Sequence, residues 1–306
     1  MAFAHSAWVA TILPRRLIIP KMPEPIVYAV LAMACYGFSD FIYKQAAAAG
    51  IRADHFLMAQ AWLFCPAVII FALATGTLSF TAGALWGSLA GALYFVGFYF
   101  FIRSLATGSV STNATIFRLN FIVTVSLSIL WLGEQLTTTR VAGLALALAA
   151  TWLLVGTGAR IGAISAPAQR TSLLQVGIAT IAFGTATFFH TMGLRSGAGP
   201  EILMVAQAAV FMPLATLIVF QAKGTLRLPA ITFRYSIPAS IALVCATLFL
   251  LRGLTLGQAS ALVPIAQMGF IVAALLGIFI LREAVTIRKA AGLALALGAL
   301  AALAAS

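Results

Sequence analysis

The stretch TNATIFRLNF, Thr112 to Phe121, places an arginine inside an otherwise apolar run. Gly108 and Gly133 bracket that run, and Arg118 is its only charge. At the helical rise per residue, Arg118 lies about 15 Å from the start, near the midplane of a bilayer. A guanidinium at that depth costs at least ~2.5–3.5 kcal/mol on insertion scales. Such a residue faces protein or a water-filled cavity, and whatever it meets there must offset the penalty.

The whole chain has the same character. Of its 306 residues 63% are hydrophobic and only 8% charged, and its mean hydropathy is +1.09. A soluble domain of this length needs far more charge on its surface, so the sequence reads as an all-α polytopic membrane protein. The net charge of +12 is spread one or two residues per loop, without a basic patch. That pattern points to topology signals and lipid headgroups, and away from nucleic acid. Cys35, Cys65 and Cys245 lie in apolar runs without ligand spacing, so no disulfide framework, metal site or cofactor is implied. Residues 1–22 read as an N-terminal extension: the apolar piece AWVATIL is too short to span, and translation could begin at Met22.

Ten apolar runs follow, over 26–46, 56–75, 82–102, 109–131, 139–157, 173–193, 201–221, 235–252, 259–281 and 288–304. The second five repeat the first five. At an offset of 149, Phe98–Ala150 aligns with Thr247–Ala299 without a gap, with 22 identities in 53 positions. Arg103/Arg252, Ser111/Ser260, Glu134/Glu283, Thr137/Thr286 and Gly143/Gly292 are among them. At an offset of 147, Gly37/Gly184, Gln60/Gln207 and Pro66/Pro213 also match. The expected organisation is a first repeat over 23–158, a linker over 159–172 and a second repeat over 173–306. Five spans per repeat is odd, so the second copy enters the membrane from the opposite side: two inverted-topology repeats, with a site near the midplane between them. Counting Lys and Arg gives eleven on one side and six on the side of the N-terminus, which places both termini outside.

Each half ends alike, in SILWLGEQLTTTRVAGLALALAATWLL and GIFILREAVTIRKAAGLALALGALAAL. A glutamate at a helix end, a Leu/Val-Thr pair, a basic residue and a Gly-led apolar helix resemble the EamA-domain family of the drug/metabolite transporter superfamily. The resemblance is nearest to its ten-helix bacterial amino-acid exporters of the YddG type. It implies a fold of ten helices and export across the inner membrane, without enzymatic activity; two complete inverted repeats in one chain make a monomer sufficient in principle, with no obligatory protein partner expected. The family often carries a proline about fourteen residues before the glutamate. Here those places read Arg118-Leu119-Asn120 and Gln267-Met268-Gly269, so the substrate region departs from the commonest pattern. Glu134 and Glu283 themselves sit where caps and interfacial ion pairs are expected.

Arg118 aligns with Gln267, which gives both halves a hydrogen-bonding group at midplane depth. Helical spacing adds Thr115, and a second polar stripe carries Asn113 and Asn120. Arg118 has two readings. Its planar fork suits a substrate carboxylate; alternatively it is structural, pairing with Asp40 or capping the carbonyls of a broken helix. The first helix supplies Tyr36, Ser39, Asp40 and Lys44. Asp40 stands four residues before Lys44, the favourable order for a local ion pair, and it is also a candidate for proton coupling, as is His190, which aligns with Tyr43. Tyr94 and Tyr99, in an aromatic third helix, could orient a ligand, or the cluster could be a lipid-interface belt. Gly83, Gly87 and Gly91 on that helix predict a close helix–helix approach.

Together these residues favour a secondary or facilitative transporter of small zwitterionic or anionic metabolites, with large apolar or aromatic amino acids foremost, working by alternating access. A multidrug exporter is the alternative within transport. An intramembrane lipid-modifying enzyme would need paired acids or a metal cluster, and the six acids of the chain offer none. A direct ATP drive would need a Walker-type Gly-Lys-Ser/Thr loop, which the sequence lacks.

Overall fold

A computed structural model describes residues 22–306 apart from 80, 108–109, 156–165, 224–226 and 283–284. Residues 1–21 of the N-terminal extension, the first half of the linker and Glu283 thus lie outside the described residues. What is described is helical throughout, in the order α1 (Glu24–Ala48), α2 (Ala53–Ala74), α3 (Ala84–Thr107), α4 (Val110–Arg118), α5 (Asn120–Leu132), α6 (Thr138–Val155), α7 (Ala166–Arg195), α8 (Pro200–Lys223), α9 (Ala230–Leu256), α10 (Ala259–Gln267), α11 (Gly269–Leu281) and α12 (Ile287–Ala304). Among the described residues nine spans are long and apolar enough to cross a membrane, and a tenth, Thr138–Leu154, is apolar but shorter. This is a multi-pass membrane protein with an outward-facing apolar surface: Leu130, Trp131, Trp152, Phe279 and Ile287 are each more than 60% exposed.

Two of the spans expected to be continuous are broken. The run 109–131 divides into α4 and α5 at Leu119, and 259–281 into α10 and α11 at Met268. At each break the bonding tightens to i→i+3, with Leu119 N–H donating to Ile116 O and Met268 N–H to Ile265 O. The spacing that betrays a helix stays intact across a one-residue break, so hydrophobic periodicity cannot reveal it. Packing can. Gly184 of α7 lies against the carbonyl of Asn120, and an added Cβ would sit 2.6 Å from Val123 Cβ. Gly37 of α1 lies against the carbonyl of Gly269, and an added Cβ would sit 2.5 Å from Val272 Cβ. Each break is pressed onto the glycine of a neighbouring helix, which explains why glycine recurs at those two aligned positions.

The packing is reciprocal. α1 packs on α9 and α11, while α7 packs on α3 and α5. α2 faces α8, and α6 faces α12 in a peripheral pair, where Gly143 receives Leu303 and Gly292 receives Leu154. The glycine stripe of α3 behaves as predicted, with Gly87 and Gly91 against the backbone of Leu203 and Gln207 on α8. The αL turn closing α5 is held by Gly133 (φ 64°), and the aligned turn closing α11 by Arg282 (φ 53°).

Candidate functional site

Between the helices lies a cavity of about 340 Å³. At one end its lining reaches the surface, where Ala47 of α1 and Ala53 of α2 are exposed beside Ile51 and Leu105 of α3. These belong to the α1–α2 turn and its flanks and to the far end of α3. Inward it reaches Arg118, Asn120 and Gln267 at the two helix breaks. A smaller chamber of about 70 Å³ adjoins it and shares Tyr36, Gln60, Phe98, Phe183 and Gln267 in its walls.

Arg118 is the last residue of α4, where a cation meets the negative end of the half-helix and its freed carbonyls. Its Nη2 donates to Asp40 Oδ2 at 2.5 Å, and the side chains are 23% and 19% exposed. Asp40 therefore has Arg118 of α4 as its partner across the cavity wall, whereas Lys44 is exposed. Ser39 is buried in the same wall. Next to it, Gln60 Nε2 donates to Tyr43 Oη at 2.6 Å. Asn120 is buried, donates to Phe117 O and leaves Oδ1 without a partner among the described residues. Gln267, the aligned counterpart of Arg118, ends α10 facing the same space.

The apolar part of the wall is aromatic. Phe183 of α7 meets Phe117 at 5.0 Å, Phe98 at 5.3 Å and Tyr94 at 4.7 Å between ring centroids. Phe101 stacks on Phe117 at 4.1 Å. Tyr94 lines the inner chamber, and its hydroxyl is 3.0 Å from Thr187 Oγ1. Phe117, Phe183 and Phe211 were not singled out from the sequence. Phenylalanine is abundant in this chain (22 residues), and only the packing selects these.

Other expected site residues lie elsewhere. Asn113 is 1% exposed and turned from the cavity, donating to Ser104 O and Ser172 Oγ, each at 2.7 Å. It ties α3 and α4 to the start of α7, because the polar stripe of α4 is split between two faces. Tyr99 accepts from Arg103 one turn on at 3.0 Å and stacks near Phe95, outside the cavity walls. Thr115 is buried and His190 is fully buried against Tyr94, and neither lines either chamber.

On the opposite side the helices close. Glu134, 1% exposed at the side chain, accepts from Ala259 N at 3.1 Å and Ser260 N at 2.8 Å, capping α10 from the end of α5. Arg195 donates to the same carboxylate at 3.2 Å. Arg140 donates to Ser260 Oγ, Gln258 and the carbonyl of Gln135, and Arg252 pairs with Glu201. The cap and ion-pair role expected for Glu134 is what the structure shows. α10 packs against α5 here, whereas no comparable packing joins α4 to α11 among the described residues.

Residues 24–156 match the EamA-like transporter family. That match covers the first half, α1 to α6. A solved structure described only as "Crystal structure of protein" shares the fold with a TM-score of 0.72 at 19% identity, covering 91% of this chain and 94% of the other. No curated protein matches. The EamA match points to a membrane transporter of small molecules.

Proposed function

We propose that the chain is a secondary transporter that exports small metabolites, foremost amino acids with large apolar or aromatic side chains, across a bacterial inner membrane. The observation that carries this reading is the Asp40–Arg118 pair in the wall of an aromatic-lined cavity open on one side. Arg118 offers a fork to a carboxylate. Phe98, Phe117, Phe183 and Tyr94 offer apolar area to a side chain pointing toward the inner chamber. Tyr36, Ser39, Asn120 and Gln267 complete the polar rim.

Alternating access is supported by reciprocal packing of two five-span repeats, 23–158 and 173–306, combined with unequal ends. α10 is latched to α5 on one side and the cavity is open on the other. Exchanging the two arrangements would close the α4 end and open the α10 end around a fixed site. Both termini then lie outside, the open mouth faces the cytoplasm, and one chain suffices. Asp40 is the candidate for proton coupling, since it is the acid in the cavity wall; His190 touches neither chamber. A multidrug exporter for lipophilic cations is the weaker reading, because the acid such a substrate needs is already taken by Arg118.

The test is counterflow of a panel of labelled amino acids into proteoliposomes of purified protein. Saturable exchange of aromatic or large aliphatic amino acids, lost in Arg118→Ala, supports the reading. Exchange that survives the substitution refutes the carboxylate clamp, and exchange of cationic drugs alone replaces the substrate class.

A further inference from the structure

Asp40 and Arg118 satisfy each other inside a cavity whose other lining is mostly apolar and aromatic. Breaking such a pair by serving only one member leaves the other charge without a partner in a poorly solvated wall, and this is the costly event for partly buried ions. A ligand carrying only a carboxylate would take Arg118 and strand Asp40 in a wall whose other polar side chains, among them Ser39, Tyr36 and Tyr43, are neutral. A ligand carrying only an ammonium would take Asp40 and strand Arg118 beside the carbonyl end of α4. An α-amino acid carries both charges on one carbon. It can enter between the two side chains and give each a new counter-ion, so the net charge of the site does not change.

The geometry points to Asp40 as the residue that makes this site select zwitterions: it receives the substrate's ammonium while Arg118 holds the carboxylate. Without substrate the two side chains serve as each other's counter-ion. Asp40 is then a specificity-determining residue, and a permanent salt bridge is only its resting state. This rests on the transport reading above and adds to it the class of substrate that the site refuses, namely des-amino acids and decarboxylated amines.

Three probes decide it: phenylalanine, 3-phenylpropionate and 2-phenylethylamine, which share a ring and differ in charge. Each competes for counterflow of labelled phenylalanine in proteoliposomes, with thermal stabilisation of the detergent-purified chain measured in parallel. The wild type is expected to prefer phenylalanine over either monopole by about 100-fold, somewhat below the roughly 160- to 5,000-fold of a fully buried pair because both side chains keep about a fifth of their surface exposed. Asp40→Asn, with Arg118 intact, is expected to bind 3-phenylpropionate within about tenfold of phenylalanine, while Asp40→Glu keeps the wild-type order. Asp40→Asn retaining the full preference overturns the inference and leaves the transport reading standing. Wild-type protein that takes 3-phenylpropionate as well as phenylalanine overturns it without any variant, which covers the case of Asp40→Asn failing to fold. A folded wild type that responds to none of the three overturns the transport reading and this inference together.

Discussion

Glu134→Ala removes the carboxylate that joins the two halves on the closed side. Glu134 accepts two backbone N–H bonds from α10, at 3.1 and 2.8 Å, and one from Arg195 at 3.2 Å. Hydrogen bonds to a charged group contribute about 1.5–3 kcal/mol each. The Arg195 contact is half-exposed and adds at most about 1 kcal/mol. Opening this side hydrates the freed groups, so a net latch of about 2–4 kcal/mol is the reasonable range. Removing it raises the share of the alternative state by roughly 30- to 700-fold, which carries a population of about 1% to between about a quarter and nine-tenths. Spin labels at Leu136 and Leu256, both exposed near this end and in different halves, report the change by electron–electron distance measurements. The wild type should give one dominant short distance, and Glu134→Ala should add a longer one. An unchanged distribution in folded protein would show that Glu134 does not hold the closure.

Four further outcomes follow from other parts of the fold. Gly37→Ala should destabilise the protein by about 1–3 kcal/mol, since its Cβ has no room beside Val272; Gly177→Ala, with nothing within 4 Å, should leave the stability unchanged or raise it by the roughly 0.5–1 kcal/mol that Ala gains over Gly in a helix, read as an unchanged or higher melting temperature. Arg282→Gly should stabilise by about 1 kcal/mol in a thermal unfolding assay, because Arg282 holds a left-handed conformation (φ 53°) where the aligned residue is Gly133. Arg118→Leu alone should lower the melting temperature, whereas Arg118→Leu combined with Asp40→Leu should recover most of the loss, since the cost lies in a stranded charge. Phe183→Ala should weaken uptake of phenylalanine relative to alanine by about tenfold, corresponding to roughly 1.4 kcal/mol of lost ring contact.

The helical spans were legible because each rests on a long run of apolar residues, nine of them long enough to cross a membrane and the tenth shorter, while the matched residues at a constant offset stand in the sequence itself. Arg118 announced itself by cost, and Asp40 as its structural partner was one of the two readings that cost allowed. The breaks at Leu119 and Met268 were not legible, since a single tightened turn leaves the apolar spacing intact. Their cause is the close seat on Gly184 and Gly37, a contact between distant segments. Asn113 and Tyr99 line neither chamber for a related reason. Polar residues on one helix look alike in sequence, and only packing decides which face meets the cavity and which meets Ser172 or Arg103. Phe117 and Phe183 escaped notice because phenylalanine in a membrane helix carries no signal of its own.

The central claim is that a substrate carboxylate sits on Arg118 inside this cavity. Its most direct test places a single cysteine at Ala47, in the cavity mouth, with Cys35, Cys65 and Cys245 replaced by serine, and follows its labelling by a fluorescent maleimide. Phenylalanine should slow labelling in a saturable manner, and the protection should vanish in Arg118→Ala while the labelling rate without ligand stays the same. Protection that persists in Arg118→Ala, or labelling that no amino acid slows, would contradict the account.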